Sequence, residues 1–207
     1  MSGSKRVCSR LPVIGSVLFI LLYLIAAILY PGGYTENEHA CGFSWLHNYW
    51  CNLLNAVAID GKMNPGRPFA LLGNFVLSFT MCSFYWQFPK LFQISKSTKL
   101  SIQFSGILSM CIAFLLFTSI DHDLLTNLAS FFGLIATLGT LLVLYKYKQR
   151  AFFYGGIIVL FMVLLNLIFY HSPSLIVFLP LIQKITFLLF LSWISWICLY
   201  FSKARSA

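Results

Sequence analysis

Six apolar stretches, each about 20 residues long, set the organisation of this chain. A helix rises 1.5 Å per residue, so a run of that length matches the roughly 30 Å hydrocarbon core of a bilayer. The runs fall near 11–30, 68–88, 100–119, 124–145, 151–170 and 175–201. Of the 207 residues 59% are hydrophobic and 9% charged, against about 25% charged in soluble domains. The expected fold is therefore all-α: a polytopic membrane protein with six transmembrane helices in one bundle, forming a single transmembrane domain over 1–207. The first run follows "KRVCSR" and carries "LIAA" near its end, which imitates a secretory signal. It exceeds the 7–15 apolar residues of a signal core, so a retained first helix is expected.

Charge is segregated along this pattern. Lys5, Arg6 and Arg10 precede the first run, and Lys90, Lys96 and Lys99 separate the second from the third. Lys146, Lys148 and Arg150 separate the fourth from the fifth, and Lys203 and Arg205 follow the sixth. Eleven of the 14 basic residues thus share one side, which the positive-inside rule makes cytoplasmic. All five acids (Glu36, Glu38, Asp60, Asp121, Asp123) and all four histidines (His39, His47, His122, His171) fall on the other. The net charge of +9 would suggest nucleic acid in a soluble protein. Here there is no Gly-rich phosphate loop and no basic stripe with interleaved aromatics, so no nucleic-acid partner is expected. The expected location is a cell membrane with both termini cytoplasmic.

The segment from 31 to 67 is the one long connection, and long connections are more often functional than decorative. Within it "SWLHNYWCNLL" places Ser44, His47, Asn48, Cys51, Asn52 and Asn55 within about 140° of a helical wheel. Aromatic and aliphatic residues fill the rest. This predicts a short outer amphipathic helix over 44–57, either lying at the headgroup level as an anchor or acting as a lid that turns its polar stripe towards a pocket.

Other chemistry-bearing groups are few. "IDHDLLTN" puts Asp121, His122 and Asp123 in a corner, where one acid is expected to cap the fourth helix. The histidine and the second acid remain for proton transfer or a metal. Carboxylate and imidazole suit zinc, but there is no HExxH, CxxC or paired His spacing. No cofactor is expected, and zinc on His47, His122 and Asp123 is the minor alternative. Lys184 is the one charge inside an apolar run. Such residues cost at least about 2.5–3.5 kcal/mol on insertion scales and normally find a partner, for which Asp121 or Asp123 is the natural candidate. Thr126, Ser130, Gly133, Thr137 and Thr140 form a small-residue stripe read as packing. Asn74, Gln103 and Asn166 are read as interhelical hydrogen-bond partners. Cys41 and Cys51 share the outer segment, where either a disulfide or free thiols are open.

"SWLHNYWCNLL", "NPGRPFALLG", "DHDLLTNLASFFGLIA" and "LIQKITFLLFLSW" together resemble a bacterial six-helix integral membrane family of unknown function, distantly similar to the Frag/DRAM/Sfk membrane proteins. The resemblance spans roughly 11–201. It implies a polar patch at Ser44, His47 and Asn52, a corner at Asp121 and His122, and a Gln183–Lys184 pair opening the last helix. Asn52 stands where the resemblance implies an acid. It also implies a bacterial inner membrane.

The function expected from these residues is that of an integral membrane protein whose outward-facing polar pocket binds or handles membrane lipid without catalysis. Ser44, His47, Asn48, Asn52 and Lys184 are the ligand-binding candidates. The alternative is an intramembrane lipid hydrolase or transferase at the outer leaflet, with His47, Asp121, His122 and Asp123 as catalytic candidates. A small transporter is the third reading, with Pro180 as a possible break in the last helix. Oligomeric state is not legible.

Overall fold

The computed structural model describes residues 10–118 and 121–203. Lys5, Arg6, Cys8 and Arg205 lie outside the described residues, as does Ser119 at the end of the expected third run. Six long helices dominate: α1 (Leu11–Ile28), α2 (Arg67–Gln87), α3 (Lys96–Phe114), α4 (His122–Lys146), α5 (Arg150–His171) and α6 (Leu179–Lys203). All six are long and apolar enough to cross a membrane.

Local chemistry explains the helix ends. Ser95 accepts the amide of Thr98 at 3.1 Å, capping α3 four residues ahead of its expected start, so its polar first turn is helical. Asp121 accepts the amide of Leu124 at 2.8 Å and caps α4, as expected. Pro12 and Pro68 stand in the first turns of α1 and α2, where a missing N–H costs nothing. Pro180 likewise opens α6 after a 3-10 turn at Ile176–Phe178 and does not interrupt it.

Successive helices pack as neighbours, α3–α4 and α1–α2 most closely, and α6 returns to α1 to close the ring. Short connections make α2 to α6 alternate in direction, and the long one between α1 and α2 folds on a single pole. The bundle therefore has a basic pole, where α1 starts and α6 ends, and an acidic pole carrying residues 29–66, the α3–α4 corner and the α5–α6 turn.

Between the helices, small residues and amides do the fastening. Ser109 donates to the Ala129 carbonyl at 2.7 Å, joining α3 to α4 beside Gly133. Thr137 and Thr140 are buried there, whereas Ser130 is exposed, so the expected stripe on α4 is not continuous. Asn74 reaches the Phe114 carbonyl, Gln103 the Trp86 carbonyl at 2.8 Å, and Asn166 the Thr186 hydroxyl at 2.6 Å. All three are interhelical, as expected.

The outward faces are apolar. Ile14, Leu72, Phe79, Phe104, Leu142, Phe161 and Leu167 are each more than half exposed. α5 is the least enclosed of the six helices, with 17% of its most apolar stretch buried.

Candidate functional site

The long connection folds into an ordered cap on the acidic pole. It opens with a hairpin, β1 (Gly32–Tyr34) against β2 (Asn37–Cys41), with Gly32 opposite Cys41 and Tyr34 opposite Asn37. Gly33 sits at φ 82°, and a Cβ there would come within 2.6 Å of the Asp60 amide nitrogen. Only glycine lets the hairpin lie this close to the second half of the cap.

The amphipathic helix expected over 44–57 is not formed. Residues 45–47 make a turn, Tyr49 is extended at ψ 154°, and a single 3-10 stretch runs from Trp50 to Leu54. The physical reason lies in the asparagines. Asn52 Oδ1 accepts the Tyr49 amide at 2.6 Å, and Asn48 Oδ1 accepts the Ser44 amide at 2.8 Å. Short amide side chains that bind nearby backbone compete with the helical ladder.

Breaking the helix frees the apolar residues to turn down together. Trp50, Leu53 and Leu54 are buried. The Trp50 ring lies 5.5 Å from Phe19 and 5.4 Å from Tyr23 of α1, and 5.5 Å from Phe187 of α6. The segment is a plug seated against α2 and α1, with the Trp50 ring reaching α6. Asn64 locks its far end, donating to the carbonyls of Leu53 and Asn55 at 3.0 Å while accepting the Gly66 amide. Arg67 adds a bond from Nε to the Leu54 carbonyl. Both residues stand in "NPGRPFALLG", where sequence alone assigns them no role of their own, although Asn-Pro is a turn signal.

Lys184 meets this cap from below. It is 5% exposed, as expected for a charge that faces the bundle. Its Nζ donates to the backbone carbonyls of Asn48 and, at 3.0 Å, Pro180, and lies 5.5 Å from the Phe43 ring centroid. The expected pairing with Asp121 or Asp123 is not made: among the described residues Lys184 has no ion pair. Cys51 lies nearby, but burial pushes its thiol up to about 11, against the pull of backbone N–H groups and Lys184. It is neutral at pH 7 and supplies no counter-charge.

Asn48 joins the two. Fully buried, it donates to the Gly33 carbonyl at 2.7 Å, so its side chain ties the hairpin to the turn while its carbonyl receives Lys184. One turn away, Ser44 Oγ and His47 Nδ1 are 2.9 Å apart, and the imidazole stacks on Tyr34 at 4.5 Å.

Ser44, His47, Asn48 and Lys184 are thus brought together, with Asn52 serving its own 3-10 turn. Asp121, His122 and Asp123 form a separate, exposed group, with His122 Nδ1 3.9 Å from Asp123 Oδ1. The preceding turn, Leu115–Phe117, packs beside the plug. Among the described residues no three His, Cys, Asp or Glu side chains gather as a metal site, and Cys41 and Cys51 are unbridged thiols. The zinc alternative on His47, His122 and Asp123 therefore has no assembled ligand set in this structure.

A six-helix bundle with a plugged acidic pole is the class that these features define. No family model, curated protein or solved structure matches the chain.

Proposed function

We propose that the chain spans a cell membrane six times, with its basic pole and both termini cytoplasmic, and that its cap binds an anionic lipid headgroup without transforming it. Two features support the insertion. The outward surfaces of the helices are apolar over far more area than a monomer tolerates in water, and eleven of the 14 basic residues share one pole.

The observation that carries the ligand is the buried ammonium of Lys184, held by two carbonyls with no carboxylate beside it among the described residues. An ammonium has three N–H donors. Two are used, and a headgroup phosphate or carboxylate supplies both an acceptor for the third and the missing negative charge. Ser44 and His47 lie on the same cap segment as Asn48, whose carbonyl receives Lys184, and are the further polar groups this reading assigns to the headgroup. Kinship with the six-helix family that the sequence resembles belongs to the same proposal.

The test is native mass spectrometry of detergent-purified protein. Wild type is expected to retain one anionic phospholipid more per chain than Lys184→Met, which keeps the apolar stem and removes the charge. Equal retention by both would overturn the reading.

One observation favours a second reading, a hydrolase or transferase of outer-leaflet lipid. A serine hydroxyl 2.9 Å from an imidazole nitrogen is the first contact needed for acyl transfer. A fluorophosphonate probe that labels wild type but not Ser44→Ala would replace the non-catalytic reading with this one.

A further inference from the structure

The opposite, basic pole carries a second candidate site. Between α2 and α3 the chain passes through a 3-10 turn, Phe88–Leu91, and reaches α3 by way of an extended Phe92. A depression of about 480 Å³ opens there, lined by Pro89, Phe92, Gln93, Ile94, Lys96 and Lys99. Its floor is braced from three helices. The Phe92 ring lies 5.3 Å from Phe88, 4.8 Å from Tyr147 and 5.5 Å from Phe201, at the ends of α2, α4 and α6. The Tyr147 hydroxyl donates to the Gln93 carbonyl and holds the loop in place.

The rim is cationic and uncompensated. Lys96 is exposed and Lys99 half-buried, and among the described residues neither forms an ion pair. All five acids belong to the segments of the other pole. Beside the depression, Lys90 Nζ lies 3.9 Å from the centroid of the Trp86 ring, which is 53% exposed. A half-exposed tryptophan at the end of an apolar helix marks the headgroup level. The positive-inside rule accounts for lysines at this pole. It does not account for two of them facing a concave surface with an apolar, aromatic floor.

We propose that this depression is a binding site for an anionic phospholipid of the leaflet at the basic pole, with Lys96 and Lys99 on the phosphate and Pro89, Phe92 and Ile94 against the glycerol and upper acyl region. Basic pockets between membrane helices recognise such headgroups through charge and shape together. The site rests on the membrane-embedded reading of the six helices, and on neither the cap nor Lys184.

The full chain, purified in neutral detergent, is titrated with dioctanoyl phosphatidylglycerol, dioctanoyl phosphatidylcholine and inorganic phosphate. The glycerol lipid is expected to bind about tenfold or more tighter than the choline lipid. Lys96→Gln/Lys99→Gln is expected to weaken it about 30-fold, from about 1 kcal/mol per lysine at tenfold per 1.4 kcal/mol. Lys96→Arg/Lys99→Arg restores binding and shows that the loop still folds. Lys146→Gln/Lys148→Gln, which removes the same charge from the same pole outside the depression, changes affinity by less than about threefold. Equal weakening by the two Gln pairs, or equal affinity for the two lipids, would overturn the site. Competition by inorganic phosphate at the affinity of the lipid would overturn the lipid as its occupant. Retained binding in Lys184→Met separates this outcome from that of the cap.

Discussion

Lys184 donates its ammonium to the backbone carbonyl of Asn48, a residue 136 positions earlier. The bond joins the outermost segment of the chain to the last helix of the bundle. It also decides which groups at the acidic pole act together. The turn at Ser44–Asn48 and the first turns of α6 are one unit, and the corner at Asp121–Asp123 is another.

Asn48 makes side-chain bonds in this unit that alanine cannot replace. Asn48→Ala leaves the Gly33 carbonyl and the Ser44 amide without their side-chain partners inside the cap. An unsatisfied buried polar group costs about 1–3 kcal/mol, so the variant is expected to lose at least that much stability in thermal or SDS unfolding. Asn55→Ala, at an exposed position of the same segment, serves as the reference.

Trp50 separates packing from hydrogen bonding. Its ring touches Phe19, Tyr23 and Phe187, while its buried Nε1 has no partner among the described residues. Trp50→Ala is expected to cost about 3–5 kcal/mol. Trp50→Phe keeps an aromatic plug and leaves no donor orphaned, so its cost should stay below about 1.5 kcal/mol. The two unfolding midpoints, measured side by side, check the difference.

Gly33 and Gly42 both have positive φ, 82° and 69°, but differ in surroundings. At Gly42 an added Cβ meets nothing within 4 Å, whereas at Gly33 it meets the Asp60 amide at 2.6 Å. Alanine at Gly42 is expected to cost about 1 kcal/mol of backbone strain. At Gly33 it should cost clearly more and raise protease cleavage within 32–62.

Cys41 and Cys51 should differ in alkylation. Cys41 is exposed, and the Cys51 thiol is pushed by burial from its ordinary value of 9.0 up to about 11. Since the thiolate is the nucleophile, iodoacetamide at pH 8 should modify Cys41 far faster. The Cys51 rate should rise about tenfold per pH unit until pH approaches 11. The linked stability has a definite sign. The neutral thiol is favoured in the folded state, so its contribution is complete below pH 9 and is lost between pH 9 and about 11. Peptide mapping after timed labelling gives both rates.

Much of the fold is legible in local sequence. Each of the six apolar runs became a helix, with ends moved by Ser95 and Asp121 capping or by Pro180 opening a turn later. Asn74, Gln103 and Asn166 could be assigned because a buried amide in an apolar helix has few options besides a neighbouring helix. The cap was less legible. A helical wheel over 44–57 assumes one continuous helix, and Asn48 and Asn52 side chains turn the backbone out of that geometry before a second turn can form. The same pattern that looked like a polar stripe became a set of internal ties.

Hydropathy and charge are properties of neighbours in the chain, so the sequence by itself determined the six helices, their lengths and the separation of basic from acidic residues between the two poles. Which carbonyl receives Lys184, where Trp50 comes to rest and how Asn64 closes the cap depend on atoms brought close only when α1, α2 and α6 pack. Those relationships were decided by the tertiary structure, because a buried donor takes whichever acceptor the closed bundle places within reach.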